Sequence, residues 1–142
     1  ELFSDESQLD FGWPGQIAKE INSVTEDVFL VGHSLGASFL LKYLSENRIT
    51  KLVRGIFLIS TPLWEGEEDW VQALKLQENF AERLPQNVPV FLYHASDDEE
   101  VPFEHFEVYA QKLPRATLRK IPVGGHQINN DLEIVANDIR AL

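Results

Sequence analysis

The chain has 142 residues, 44% of them apolar, and a net charge of -11 at neutral pH from 23 acidic and 12 basic residues. This length suits one compact domain, and the apolar content argues against a disordered chain. Because the acidic surface would repel phosphate groups and anionic lipid, we expect no binding to nucleic acid and none to a membrane surface.

The pattern of apolar residues predicts strands and helices that alternate along the chain. Continuous apolar residues at 27–32 indicate a strand that is buried on both faces, whereas the alternation at 116–121 indicates an edge strand. In chain order, the predicted elements are an irregular segment over 1–10, a helix from Pro14 to Val24, a strand over 27–32, a helix over 35–46, a strand over 52–60, a partly helical stretch over 64–84, a strand over 88–94, a helix over 103–113, a strand over 116–121 and a helix over 131–142.

This order of elements predicts repeated βαβ units. Such units form a parallel sheet with helices on both faces, so the expected fold class is α/β. Asn130 and Glu133 have the spacing of a capping box, with Asn130 as the N-cap of the last helix.

Residue types that are absent restrict the chemistry and the cellular setting. The chain has no cysteine, which excludes disulfides, thiolate catalysis and cysteine-bound zinc. A reducing compartment fits such a chain, and we expect a cytoplasmic protein. Methionine is also absent, even at position 1, so we expect that residues before Glu1 are missing and that this single domain is incomplete at its N terminus.

Reactive side chains follow three of the predicted strands. Ser34 follows the first strand, Asp97 and Asp98 follow the third, and His126 follows the fourth. Ligands of open parallel sheets bind at the carboxyl ends of the strands. A hydroxyl, a carboxylate and an imidazole are therefore expected at one edge of the sheet.

The segment Gly32-His33-Ser34-Leu35-Gly36 has the G-x-S-x-G pattern of a nucleophile elbow. The serine backbone must adopt a strained turn, and we expect a side chain at either glycine to collide with nearby backbone. The start of a helix offers free N–H groups to a developing oxyanion, so the Leu35 N–H is the predicted oxyanion donor. By itself, Ser34 also fits the N-cap of a helix.

A serine hydroxyl is a weak nucleophile and needs a base. His126 is the candidate, because the two glycines before it allow a sharp loop that returns the ring toward Ser34. A carboxylate must orient this base and stabilise the imidazolium, and Asp97 and Asp98 are both candidates. The order serine, acid, histidine along the chain is the order found in α/β-hydrolases.

Three segments together resemble the α/β-hydrolase superfamily: G-H-S-L-G at 32–36, H-A-S-D-D-E-E-V-P-F-E-H at 94–105 and G-G-H-Q at 124–127. More narrowly, they are similar to the small single-domain serine hydrolases of the retinoblastoma-binding protein nine type. The acid of that superfamily commonly stands in a D-x-x-V-P pattern, which Asp98 matches, so the resemblance implies Asp98 as the acid. Further strands precede the elbow in that superfamily, and a loop after one of them provides a second oxyanion donor, which is unassigned here.

We therefore predict a carboxylesterase-like serine hydrolase with a triad of Ser34, His126 and Asp98. It would cleave a small-molecule ester, thioester or amide through an acyl-enzyme on Ser34, with Leu35 N–H in the oxyanion hole and with no metal or organic cofactor. Two alternatives stay open: a non-catalytic domain that retains the fold and binds a protein partner, and an acyltransferase whose acyl-enzyme reacts with an alcohol or amine.

Other polar and aromatic residues near these segments receive simpler interpretations. The acidic neighbours of Asp98 are expected to form a solvated loop, and the remaining histidines are expected to be structural, packing or surface groups. Three aromatic residues fit either an acyl pocket or packing against the core. The residues concerned are Asp97, Glu99 and Glu100 in the loop, His33, His94 and His105 among the histidines, and Trp64, Trp70 and Phe80 among the aromatics.

Overall fold

A four-stranded sheet forms the centre of the fold in a computed structural model, which describes residues 3–142. The irregular start predicted over 1–10 is confirmed for residues 3–10, and the first two residues lie outside the described part. The elements in chain order are α1 (Trp13–Ser23), β1 (Val28–His33), α2 (Leu35–Glu46), β2 (Val53–Ile59), α3 (Asp69–Gln72), α4 (Phe80–Arg83), β3 (Val90–Ala95), α5 (Phe103–Lys112), β4 (Thr117–Ile121), a 3-10 turn (Ile128–Asn130) and α6 (Glu133–Arg140).

The strands lie side by side in their chain order, β1-β2-β3-β4, and every neighbouring pair is parallel. The predicted α/β fold with a parallel sheet is thus confirmed. Because all the strands run in one direction, the segments that follow β1, β3 and β4 all leave the sheet at the same edge. That edge carries Ser34, the acidic loop 97–100 and the loop of His126.

Helices cover both faces of the sheet, as predicted. On one face, α1, α2 and α5 pack over β1, β2 and β3, and Leu41, Ile56 and Tyr109 are nearly inaccessible to solvent there. On the other face, α6 packs Val135 against a smaller cluster that includes Phe57 of β2. Burial of each large apolar side chain contributes about 1.5–3 kcal/mol to the free energy of unfolding. These two clusters therefore stabilise the sheet whose edge carries Ser34, the acidic loop and the loop of His126.

The prediction that the first strand is buried on both faces is wrong. Val28 and Leu30 face the larger core, but Phe29 and Val31 are 39% and 48% exposed. The reason is the position of β1 at an edge of the sheet, where α6 does not cover the second face in the described part of the chain. The prediction that 116–121 forms an edge strand is confirmed.

The stretch 64–84 is partly helical, as predicted, and contains the short α3 and α4. The start of the last helix differs from expectation. Asn130 is not the N-cap of the last helix: it has a positive φ, and the N–H of Glu133 donates instead to the Asp131 carboxylate. No helix within residues 3–142 combines the length and the apolar character that crossing a bilayer requires.

Candidate active site

Ser34 lies at the corner between β1 and α2 in a conformation that few residues with a side chain adopt. Its φ is 52° and its ψ is -124°, a strained backbone of the kind that is found at functional sites. Backbone hydrogen bonds hold the turn, since Ser34 N–H donates to Ile59 O and Ser34 O accepts the N–H groups of Ala37 and Ser38. The Ser34 side chain makes no capping hydrogen bond, so the N-cap interpretation does not account for this hydroxyl.

The two glycines of the elbow have different roles. A Cβ atom on Gly32 would lie 2.6 Å from the Cα atom of Ala37, because the strand and the following helix approach closely at this point. The expected collision is therefore confirmed at Gly32. It is wrong for Gly36, where a Cβ atom would meet no described atom within 4 Å.

This difference predicts opposite effects of the same substitution at the two glycines. Gly32→Ala should lower the free energy of unfolding by about 2–3 kcal/mol, because the clash involves backbone that no rotamer change relieves. Gly36→Ala, as the matched control, should be neutral or should raise it by up to about 1 kcal/mol, since alanine favours the helix. Urea unfolding of both variants measures the two values. Equal destabilisation of the two variants would contradict the prediction.

The start of α2 presents backbone donors beside Ser34. Leu35 and Gly36 are the first two residues of the helix, and the earliest N–H groups of a helix have no acceptor within it. The N–H groups of Ala37 and Ser38 are already bound to Ser34 O. The Leu35 N–H is thus available to an anionic oxygen at Ser34, and its role as oxyanion donor stays a prediction.

His126 is held rigidly although it lies in a loop. The residue is only 2% exposed. Its carbonyl oxygen accepts hydrogen bonds from His33 Nε2 and Ser60 Oγ, each at 3.0 Å, and its N–H donates to Glu99 at 3.0 Å. His33 is therefore structural, as predicted, whereas the contributions of Ser60 and Glu99 were not predicted.

Asp98 is the carboxylate that contacts the imidazole ring. His126 Nδ1 lies 3.0 Å from each carboxylate oxygen of Asp98, and the Asp98 side chain is fully buried. The N–H groups of Glu100 and Val101 also donate to its Oδ1 atom. Burial by itself would raise the pKa of Asp98, but the hydrogen bonds from Val101, Glu100 and His126 outweigh it and lower the pKa below its usual value. Asp98 therefore stays ionised and accepts a hydrogen bond from Nδ1–H of His126.

A second histidine, His94, lies beside the Asp98 carboxylate. His94 is 1% exposed and packs against Phe103 and Phe106, in agreement with the predicted packing role. Its Nε2 atom donates to Val101 O at 2.9 Å and lies 3.3 Å from Asp98 Oδ2. Burial lowers the pKa of His94, so the ring is neutral and carries a single N–H, which donates to Val101 O and lies near the acid. This contact was not predicted, because a single histidine within an apolar strand has no distinctive sequence pattern.

The acidic loop is more than a solvated turn, which corrects the interpretation of its other carboxylates. Asp97 accepts hydrogen bonds from the N–H groups of Gly124 and Gly125, and Glu99 accepts one from the N–H of His126. Glu100 Oε2 lies 3.4 Å from His126 Nε2. All three of these carboxylates thus contact the histidine segment 124–126, although they are largely exposed.

The free nitrogen of His126 faces Glu100 in this arrangement. Within residues 3–142, no hydrogen bond joins His126 Nε2 to the Ser34 hydroxyl. The rings of His126 and His33 are nevertheless 4.9 Å apart between centroids, so the imidazole lies beside the residue that precedes Ser34. Hydrogen bonds between a nucleophile and its base are often long before substrate binds.

The remaining candidates take no part in this cluster. His105 Nδ1 accepts the N–H of Leu63, and Phe80 is buried in the larger core. Trp64 donates from Nε1 to Ser38 Oγ, one helical turn beyond Ser34, and packs edge-on against the exposed Trp70. Over the part of the chain that the structure describes, no group of three or more His, Asp or Glu side chains is arranged to hold a metal ion.

Comparison with known proteins gives a family and a fold. A family model described as serine hydrolase matches residues 5–133. YdeN of Bacillus subtilis (strain 168), which is named as a hydrolase, is 24% identical over 124 residues, or 84% of this chain and 63% of YdeN. The crystal structure of the ydeN gene product has a TM-score of 0.74 at 21% identity and covers 94% of this chain and 74% of that one.

A hydrolase of the α/β superfamily from Xanthomonas campestris pv. campestris is also similar, with a TM-score of 0.66 at 21% identity, covering 94% of this chain and 70% of that one. At such identities the structural similarity shows the fold alone. It agrees with the superfamily that the three sequence segments resemble. The chain spans less than two thirds of the length of YdeN.

Proposed function

This chain belongs to the serine hydrolase family, and from that premise we propose that it cleaves a small-molecule ester, thioester or amide through an acyl-enzyme on Ser34. The observation that carries the proposal is the contact of His126 Nδ1 with both oxygens of the buried Asp98, next to a strained serine elbow. A buried, ionised carboxylate on Nδ1 fixes the tautomer in which Nε2 is free to take a proton.

In the proposed mechanism, Ser34 Oγ attacks the acyl carbon while His126 Nε2 takes the hydroxyl proton. The bond from the acyl carbon to the leaving oxygen, sulfur or nitrogen then breaks, and His126 returns the proton to that atom. A water molecule next gives a proton to His126 and attacks the acyl-enzyme. The bond from the acyl carbon to Ser34 Oγ then breaks, His126 returns the proton to Oγ, and the acid is released. Asp98 stays ionised throughout and stabilises the imidazolium.

The surroundings of Ser34 support charge stabilisation and an open acyl site. The Leu35 N–H supplies one donor for the tetrahedral oxyanion, where a backbone donor is worth about 3 kcal/mol of transition-state stabilisation. Trp64 donates to Ser38, one helical turn beyond Ser34, and we assign it to the wall that the acyl group contacts. The exposed Trp70 extends this wall toward solvent.

Covalent labelling tests the proposal directly. A fluorophosphonate probe at pH 8 should modify the folded protein once, and peptide mass spectrometry should locate the adduct on Ser34. A panel of esters and thioesters with graded acyl length then measures the preferred substrate. Absence of labelling in a folded sample would reject the proposal and favour the non-catalytic interaction domain. Transfer of the acyl group to an added alcohol or amine, in place of water, would favour an acyltransferase.

The contact between Glu100 and His126 predicts a modest loss of rate on removal of one charge. Glu100 Oε2 lies 3.4 Å from His126 Nε2, where a carboxylate stabilises the positive charge that the ring acquires when it takes the serine proton. Because Glu100 is largely exposed, such a pair contributes at most about 1 kcal/mol. Glu100→Gln should therefore slow fluorophosphonate labelling by about two- to fivefold. Glu104→Gln, which removes the same charge on α5, should leave the rate unchanged. Faster labelling of the Glu100 variant would contradict this prediction.

A further inference from the structure

We propose that Asp97 is a positioning residue that holds the loop of the catalytic base, an inference that rests on the proposed function of His126. One carboxylate oxygen of Asp97 accepts two hydrogen bonds, from Gly124 N–H at 2.8 Å and Gly125 N–H at 2.9 Å. Two consecutive N–H groups that converge on one oxygen form an anion-binding concavity of the backbone. The loop that carries His126 is thus tied to the loop that carries its acid.

The two glycines before His126 explain why these hydrogen bonds matter. Gly125 has a φ of 60°, which glycine adopts without strain. Without hydrogen bonds to Asp97, the same freedom would allow the loop many other conformations. Ordering glycine costs more backbone entropy than ordering any other residue. The carboxylate of Asp97 therefore selects the one conformation in which the next residue, His126, reaches Asp98.

Glu99 adds a third bond of the same kind. Its Oε2 atom accepts the N–H of His126 at 3.0 Å, so the consecutive N–H groups of residues 124, 125 and 126 all donate to carboxylates of the acidic loop. Asp98, which lies between Asp97 and Glu99 in the sequence, contacts the imidazole ring of His126 instead. Hydrogen bonds to an ionised acceptor are about twice as strong as neutral ones, and the bonds from the two glycines lower the pKa of Asp97.

The hydrogen bonds to Asp97 and Glu99 affect the proposed reaction through the position of the His126 ring. The distance between His126 Nδ1 and Asp98, and the direction of Nε2, both depend on where the loop backbone lies. A misplacement of about 1 Å at a reacting group can cost about a hundredfold in rate. Asp97 itself is exposed, so its removal should affect the reaction far more than the stability of the fold.

Kinetic comparison of three variants tests the proposal. Asp97→Ala should lower kcat by about 10- to 100-fold, with KM changed less than about twofold. Asp97→Asn keeps an acceptor oxygen for the two N–H groups and should stay within about threefold of the wild-type kcat. Asp131→Ala is the matched control, because it removes an exposed carboxylate that binds a backbone N–H at the start of α6 instead of in segment 124–126, and it should leave kcat unchanged.

Magnetic resonance on the same variants tests the positioning apart from any hydrolysis. In the wild-type chain, the Nδ1 proton of His126 should give a downfield resonance, and the amides of residues 124–126 should exchange slowly. Asp97→Ala should broaden or remove that resonance and accelerate the amide exchange by about tenfold or more. Normal resonance and exchange in this variant, or a kcat no lower than that of the Asp131 variant, would overturn the proposal. An inactive wild-type protein that shows the spectroscopic change would instead reject the hydrolase function and leave the positioning role intact.

Discussion

Replacement of Ser34 by alanine should reduce kcat/KM by about ten-thousandfold or more and should abolish fluorophosphonate labelling. The loss is this large because the acyl-enzyme route needs the hydroxyl, whereas Leu35 N–H and the substrate wall preserve only binding and oxyanion stabilisation. The fold should survive, since Ser34 Oγ makes no hydrogen bond to the helix that follows it and the elbow is held by backbone hydrogen bonds.

Ser23→Ala serves as the control for this measurement. Ser23 is exposed and its hydroxyl bonds only to Glu20 O, so labelling and turnover should match the wild-type values. Melting temperatures of the two variants confirm that both are folded. If the probe still labelled the Ser34 variant at the wild-type rate, the nucleophile would be another residue and the elbow would be structural.

The second large effect is expected for Asp98→Asn, which should lower kcat by about a thousand- to ten-thousandfold. The remaining oxygen of the amide should accept the N–H groups of Glu100 and Val101, as Asp98 Oδ1 does now. The NH2 group would then face His126 Nδ1 and force it to act as an acceptor. The proton would move to Nε2, which could no longer take a proton from the serine.

The same substitution should also destabilise the fold, and the effect has a definite pH dependence. One N–H of this amide would point toward His94 Nε2, which lies 3.3 Å from Asp98 Oδ2 and itself donates to Val101 O, and a buried donor without an acceptor costs about 1–3 kcal/mol. The pKa of Asp98 is lower in the folded chain than its ordinary value of 3.8. Its contribution to the free energy of unfolding is therefore present above pH 3.8 and disappears as the pH falls through the lower folded value.

Urea unfolding between pH 2 and pH 6 measures this pH-dependent contribution of Asp98 to the free energy of unfolding, and the Asp98→Asn variant should lack it. Asp97→Asn is the matched control for the rate, because it makes the same chemical change one residue earlier, where an amide oxygen can replace the carboxylate. Equal rate losses in the two variants would show that the acidic loop acts through its total charge and that Asp98 has no special relation to the ring of His126.

Much of the fold was predictable because local patterns report it. The alternation of apolar segments with helical periodicity led to the order of elements and to the parallel sheet, and α2 begins and ends where it was predicted. Burial of β1 was misjudged because a continuous apolar run does not reveal whether a helix covers the second face. Phe29 and Val31 are exposed for that reason. The prediction of a capping box at Asn130 was wrong because Asn130 is the last residue of the 3-10 turn and has a positive φ.

The order of elements along the chain was sufficient to place a serine elbow, a run of carboxylates and a histidine at one edge of a parallel sheet, because they follow β1, β3 and β4. Only the folded chain shows which carboxylate contacts which atom: Asp98 contacts the ring of His126, Glu99 accepts its backbone N–H, Asp97 accepts the N–H groups of the two preceding glycines, and Glu100 lies opposite Nε2. The physical reason is that side-chain directions in a turn depend on the backbone dihedrals of that turn. Those dihedrals are set by hydrogen bonds to a loop more than twenty residues away, and no local pattern encodes such bonds.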